Sequence, residues 1–235
     1  MIWNNLSNLL ANEFEALEDK SKFLKEKHAR LTYCGEGSRM LTKAKADDNF
    51  EALKDRHLHG QKHYAGYSQA TLRAILYIRE MHEYFDPSEI DFMTDFGPGY
   101  GNFTRCWHDL YGLYNPKLHF QLVDLSRLHQ ISEYHLGLHN ITVNHRTLND
   151  MISPHGKSLF FAAHSLNEMV LKERTRVEQQ LVKYDYLFLV YNNAFEGIDN
   201  CVWFDGLAKR LEKDFLTYTY QEEATAKWRM VGVKK

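Results

Sequence analysis

The sequence predicts an α/β fold: an open, mostly parallel sheet with helices between its strands, preceded by a helical N-terminal segment. Three observations carry that expectation. From residue 90 onward, short apolar runs alternate with stretches of helical periodicity. The first apolar run (Ile90, Phe92, Met93) leads straight into a glycine-rich turn, Asp95-Phe96-Gly97-Pro98-Gly99-Tyr100-Gly101. The second, His119 to Val123, ends in an acid, Asp124. In an open α/β sheet, ligands bind outside the carboxyl ends of the strands. The glycine turn and Asp124 both belong there.

The elements follow in order. Residues 4–30 read as an amphipathic helix with Leu6, Leu9, Leu10, Phe14, Leu17 and Leu24 at helical spacing. Gly35 and Gly37 interrupt it, and Asp47 to Leu58 suits a further short helix. Arg56 to Tyr67 concentrates His57, His59 and His63 with Tyr64 and Tyr67. These histidines do not match a zinc spacing. The stretch reads either as a solvated loop or as a substrate-facing lid, with His59, His63, Tyr64 and Tyr67 as candidate acceptor contacts. Ser68 to Phe85 is a helix with Ser68 as N-cap and Pro87 beyond its end.

After the glycine turn, Asn102 to Leu113 is helical, with Phe103, Trp107, Leu110 and Tyr111 on one side. Leu125 to Gly137 is helix and Ile141 to Leu148 a third strand, followed by the polar turn Asn149-Asp150. Ser158 to His164 is a fourth strand, apolar as a buried parallel strand should be. A helix then runs to Lys183. Tyr186 to Tyr191 is a fifth strand ending at Asn192-Asn193, and Ala194 to Asn200 is a loop. Cys201 to Phe215 is helix, and Leu216 to Glu222 and Lys227 to Val233 are two last strands, antiparallel neighbours. The strands total seven. A soft boundary near Pro87 divides residues 1–88, cap and lid, from 89–235, the sheet domain.

Composition removes several function classes. The chain has 235 residues, 44% of them hydrophobic, and a net charge of −2. That charge, with a pI near 6.7, gives no electrostatic footprint for nucleic acid. No apolar run is long enough to span a bilayer, and the N-terminus lacks the pattern of a signal peptide. The three cysteines, Cys34, Cys106 and Cys201, form no C-x-x-C pair. They indicate neither a zinc site nor a disulfide framework. A reducing, cytoplasmic setting is expected.

The glycine turn does not supply the G-x-G-x-x-G of dinucleotide binding. From Gly97 the third glycine arrives one residue early, and from Gly99 the third position is Thr104. A nicotinamide-dependent oxidoreductase is therefore disfavoured. Asp95-x-Gly97-x-Gly99-x-Gly101, with Asp124 at the next strand end, resembles the first motif of class I S-adenosylmethionine-dependent methyltransferases. The resemblance implies a Rossmann-like seven-stranded sheet with an N-terminal helical cap. It implies S-adenosylmethionine as cofactor, held by Asp95, Gly97, Gly99, Tyr100, Gly101, Asp124 and Leu125. Asp124 would take the ribose hydroxyls, and Asn149 or Asp150 the adenine amine. It also implies that the end of the fourth strand faces the transferred methyl group. His164 is then the candidate general base, able to take a hydroxyl proton near neutral pH, although a lone histidine is more often structural. Glu168 is a second catalytic candidate, or simply an acid in a helix's first turn.

The position after the fourth strand reads Ala163-His164-Ser165-Leu166, not the Asp/Asn/Ser-Pro-Pro-aromatic motif of base-directed N-methyltransferases. His164 and Asn192-Asn193 stand where metal-assisted O-methyltransferases need carboxylates, so no metal is expected. His164 to Met169 resembles the Ser-x-x-Glu-Met run of sugar O-methyltransferases. The expected reaction is direct in-line methylation of a hydroxyl on a sugar or another small polar molecule, presented by the His-rich loop and Asn192. The alternative is a non-enzymatic partner protein on the same fold. The first helix also suits a homodimer.

Overall fold

The computed structural model describes residues 2–26, 53, 63–64, 67–223 and 225–235. In chain order the elements are α1 (Ile2–Ala16), α2 (Lys20–Glu26), β1 (His63–Tyr64), β2 (Tyr67–Ser68), α3 (Gln69–Met81), β3 (Phe92–Phe96) and α4 (Asn102–Trp107). There follow β4 (His119–Val123), α5 (His129–Gly137), β5 (Asn144–Arg146), β6 (Ser158–Ala163), α6 (Leu171–Leu181) and β7 (Tyr186–Tyr191). The chain ends with β8 (Ala194–Phe195), β9 (Ile198–Asp199), α7 (Asn200–Leu211), β10 (Phe215–Glu222) and β11 (Lys227–Lys234).

Seven strands form one sheet in the order β10-β11-β7-β6-β3-β4-β5. The five strands from β7 to β5 are parallel. The last hairpin adds β11 antiparallel to β7 and β10 antiparallel to β11. From β3 the chain steps outward through β4 to β5, then returns to the other side of β3 with β6. The switch point therefore lies between β3 and β6, at their carboxyl ends, where such sheets bind ligands.

The structure groups into two compact units. One holds residues 81–98, 115–124 and 143–235, and with them the whole sheet. Its core forms because alternate strand residues share a face. Phe92, Phe96, Phe160, Ala162, Leu187, Leu189 and Tyr191 pack with Val177 and Leu181 of α6 and with Phe204, Leu207 and Leu211 of α7. Inside that apolar layer sits one polar knot. The hydroxyls of Thr94 and Tyr184 bond at 2.8 Å. Gln121 Nε2 donates to Thr94 Oγ1 at 3.0 Å, and Gln121 Oε1 accepts the Ile152 N–H at 2.7 Å. Burial pushes the Tyr184 phenol up to about 12, against the Thr94 and Gln121 bonds.

The other unit comprises residues 1–80, 99–114 and 125–142. Leu10, Phe14, Phe23, Tyr100 and Ile131 form its core. Arg105, buried on α4, ties α4 to α3: Nη2 donates to Thr71 Oγ1 at 2.9 Å and to Asn102 Oδ1 at 3.0 Å. The expected N-terminal helix is two helices, broken at residues 17–19. Asp19 Oδ1 accepts the Ser21 N–H at 3.0 Å and starts α2 afresh. The expected helix over Asp47 to Leu58 lies outside the described residues except for Leu53, as does the glycine break at Gly35 and Gly37. Ser68 caps α3 as anticipated, its Oγ accepting the Thr71 N–H at 3.2 Å. The helix stops at Met81, short of Phe85. The Ala194 to Asn200 loop contains a small hairpin, β8–β9. Among the described residues no helix is long and apolar enough to cross a membrane.

The polar knot yields a test. Thr94→Val strips the Tyr184 hydroxyl and the Gln121 amide of their shared partner inside the core. It should lower stability by about 1–3 kcal/mol in urea unfolding, while an exposed Thr175→Val should change little.

Candidate active site

The register of the parallel strands sets the site. Phe96 pairs with Val123, and the Gly97 N–H donates to the Val123 carbonyl at 2.8 Å. The Asp124 N–H donates to the Arg146 carbonyl at 3.1 Å, and the His164 N–H to the Val190 carbonyl at 2.9 Å. Asp124, Gly97, His164 and Tyr191 therefore end four neighbouring strands at one rim of the sheet. Asp95, buried, is the penultimate residue of β3.

The three glycines of the turn are there for different reasons. All have left-handed φ: 72° at Gly97, 59° at Gly99 and 84° at Gly101. A side chain at 97 would place its Cβ 2.2 Å from Ser165 Cβ. At 101 it would stand 3.0 Å from a Leu136 methyl. At Gly99 it would meet nothing within 4 Å. Gly97 thus lets the turn and the loop after β6 touch, Gly101 lets α4 start against α5, and Gly99 meets no neighbour among the described residues. That last property suits a ligand that must approach the main chain.

Of the other anticipated cofactor residues, Asp124 is half-buried and Leu125 is 39% exposed. Tyr100 is buried, its ring 4.7 Å from that of His135, edge to face. Its ring is thus part of the helical unit's core. Asp150 is bound within its own turn: Thr147 Oγ1 and the Thr147 N–H both donate to its Oδ1, holding this exposed carboxyl below its ordinary value. Asn149 Oδ1 accepts from Arg176 Nη2 at 2.6 Å. Of the anticipated acceptor contacts, His59 lies outside the described residues. His63 and Tyr64 form β1, paired with β2, and Tyr67 is buried. Asn192 is half-buried at the end of β7.

His164 sits at φ 68°, left-handed backbone that a residue with a Cβ seldom takes. Such strain clusters at functional sites, where the surroundings enforce it. Here those surroundings include the Val190 carbonyl on one side and Ser165 on the other, whose hydroxyl donates to the Phe96 carbonyl. Glu168 occupies a 3₁₀ turn, Leu166–Glu168. The helix begins at Leu171 with Glu173 as its first-turn acid, so helix-end stabilisation does not explain Glu168. Burial pushes its carboxyl up to about 7, a value suited to acid–base work.

Ser165, Asn167 and Arg174 were not legible as site residues. Arg174 is fully buried on α6. Its guanidinium donates to the Met169 carbonyl at 2.9 Å, the Asn167 carbonyl at 2.5 Å and Asn200 Oδ1 at 2.8 Å. It therefore clamps the loop after β6 to the start of α7. Among the described residues no group of three or more His, Cys, Asp or Glu could hold a metal ion.

Two outcomes follow. Gly97→Ala should cost about 2–4 kcal/mol, from left-handed strain plus overlap with Ser165, whereas Gly99→Ala should cost about 1 kcal/mol from strain alone. Adding Ser165→Gly should recover part of the Gly97→Ala loss in a double-mutant cycle. Glu168 binds its proton more tightly folded than unfolded, so stability contributed by the neutral carboxyl is lost as pH rises from about 4.5 to about 7. Glu168→Gln should thus stabilise the protein at pH 8 and not at pH 4, read by denaturant unfolding at each.

No family model and no curated protein matches the chain. Solved structures do. A candidate O-methyltransferase from Nostoc punctiforme superposes with a TM-score of 0.52 at 10% identity, covering 86% of this chain and 73% of that one. An O-methyltransferase family protein from Burkholderia thailandensis gives 0.47 at 9% identity, covering 71% and 60%. Human N-acetylserotonin methyltransferase, solved with S-adenosylmethionine, gives 0.48 at 11% identity, covering 85% and 66%. The chain thus spans 60% and 66% of the lengths of the last two proteins. At such identities the likeness is one of fold alone, an α/β fold on a seven-stranded mixed sheet with flanking helices.

Proposed function

We propose that this protein is an S-adenosylmethionine-dependent O-methyltransferase acting on a hydroxyl of a small polar molecule, a sugar being the favoured class. The observation that carries the reading is the rim of the sheet at the switch point. There the glycine turn opens at Gly97, with left-handed φ and its N–H on the Val123 carbonyl, and Asp124 ends the adjoining strand. Those features fit S-adenosylmethionine: Asp124 would hold the ribose hydroxyls, and the turn from Gly97 to Gly101 the methionine end. The Asn149-Asp150 turn follows the next strand, and Asn149 or Asp150 would accept from the adenine amine. The similar fold of the Nostoc structure, named as a candidate O-methyltransferase, agrees with this reading.

The cofactor supplies a methyl group on a sulfonium centre, electrophilic without further activation. The protein's task is to bring an oxygen nucleophile into line and remove its proton. Proximity and orientation then supply much of the acceleration. His164 would take the proton of the acceptor hydroxyl as that oxygen accepts the methyl group the cofactor would supply. Glu168, with its raised carboxyl, accepts or relays that proton near neutral pH. Asn192, at the end of β7, orients the acceptor.

The test is transfer of labelled methyl from S-adenosylmethionine to a panel of hydroxyl acceptors. His164→Ala should lower turnover about 10²–10⁴-fold and leave cofactor binding intact. Unchanged turnover in that variant would remove His164 from the chemistry. No transfer to any acceptor, with cofactor binding retained, would favour a non-enzymatic partner protein.

A further inference from the structure

Four side chains, on the segments that follow β6 and end β7 and at the start of α7, bury polar atoms that find no hydrogen-bond partner among the described residues. The atoms are Nδ2 and Oδ1 of Asn167, the Tyr191 hydroxyl, Asn192 Oδ1 and Asn200 Nδ2. Asn167, Tyr191 and Asn200 are themselves fully buried. Folded proteins satisfy nearly all such groups, because each one left unmade forfeits its hydration with nothing in return.

The four belong to one connected cluster. Arg174 bonds both the Asn167 carbonyl and Asn200 Oδ1. The Asn200 N–H donates to the Asn193 carbonyl at 2.8 Å, which joins the start of α7 to the residues that follow Tyr191 and Asn192. The Tyr191 ring stacks on Phe204 at 3.8 Å and 9°, one helical turn along α7 from Asn200. At the exposed end, Trp228 Nε1 donates to Asn193 Oδ1 at 2.9 Å. Asn192 is the half-buried member.

The chemistry of the unfilled groups is specific. Amide nitrogens donate, amide oxygens accept, and a phenol does both. The four side chains are neutral and offer the two capacities in mixture. A hydroxyl also donates and accepts, so neighbouring hydroxyls on a neutral ring can satisfy the set. A carboxylate would face the oxygens of Asn167 and Asn192 without a proton to give. An ammonium would face the Asn200 and Asn167 nitrogens without a lone pair. A bare aromatic ring would leave all of them unmade, which such sites reject strongly.

We infer that Asn167, Tyr191, Asn192 and Asn200 form a subsite for the vicinal hydroxyls of a neutral, sugar-like ligand, with Arg174 as its positioning residue. Taking that ligand to be the methyl acceptor rests on the methyltransferase reading, but the subsite is tested without turnover.

Asn167→Leu, close in volume, and Tyr191→Phe delete unfilled atoms while leaving the Arg174 bond to the residue-167 carbonyl available. Full-length wild type and both variants are followed by thermal unfolding, alone and with millimolar methyl glycosides of glucose, galactose, mannose and rhamnose, with phenol and benzoate as controls. A ligand that binds only the folded state raises the midpoint. The expected result has two parts. The free variants unfold at or above the wild-type midpoint, and at least one glycoside raises the midpoint of wild type but of neither variant, with both controls inert. Variants that unfold below wild type would mean that these atoms are already satisfied within the protein, and would overturn the inference. So would a wild type that no glycoside shifts. S-adenosylhomocysteine titrated into the same samples separates the two readings. Glycoside shifts without its binding would keep the subsite and discard the methyltransferase, and its binding without glycoside shifts would do the reverse.

Discussion

The turn after β3 and the loop after β6 meet at Gly97 and Ser165, and the rim of the sheet depends on that contact. Gly97 carries no side chain because Ser165 occupies the space one would need. The Ser165 hydroxyl, in turn, bonds the Phe96 carbonyl at the end of β3. Two strand ends that meet at the switch point are thereby locked together by one absent Cβ and one hydrogen bond. The lock fixes the turn that would receive a cofactor relative to the residue just before Ser165, which is His164. Left-handed backbone at His164 is the local strain that goes with it.

The loop after β6 is also held from below. Arg174 spends its donors on two carbonyls of that loop and on Asn200. Among the described residues no carboxylate bonds it, the centre of the Trp203 ring lies 5.1 Å from its guanidinium carbon, and burial pulls the group below its ordinary value. A buried cation without an ionic partner is a costly device. It is found where the segment it holds must keep one shape, and here that segment carries Ser165, Asn167 and Glu168. The nearby unfilled amides and phenol are costly in the same sense. Stability withheld around one rim of an otherwise well-packed sheet is what a binding site requires.

Much of the fold was legible from the chain. The strands His119–Val123 and Tyr186–Tyr191 form with the expected bounds, because buried parallel strands read as unbroken apolar runs. The seven strands and the antiparallel last pair follow from the same pattern. The third strand is shorter than its apolar signal, Asn144–Arg146 in place of Ile141 to Leu148. It is an edge strand with one neighbour, so its ends gain little from pairing. The break in the first helix was marked only by Asp19, a capping residue among other acids. The glycine spacing pointed to the right rim of the sheet but not to the separate task of each glycine, since Ser165 lies 68 residues from Gly97 in the chain. Arg174, Asn167 and Asn200 carried no local signal, because their roles arise only from partners brought together by the fold. For Glu168 the sequence left two readings, a catalytic candidate and a first-turn acid, because the 3₁₀ turn ahead of α6 has no distinctive sequence mark.

The proposed S-adenosylmethionine site is the sheet rim at Gly97 and Asp124. Calorimetric titration of the wild type and of Asp124→Ala with S-adenosylmethionine and S-adenosylhomocysteine tests it most directly. The account predicts saturable, one-to-one binding of both ligands to the wild type and loss of both in the variant, whose fold should survive because Asp124 is a half-buried strand-end residue. Absence of binding to the wild type, or equal binding by the folded variant, would contradict it.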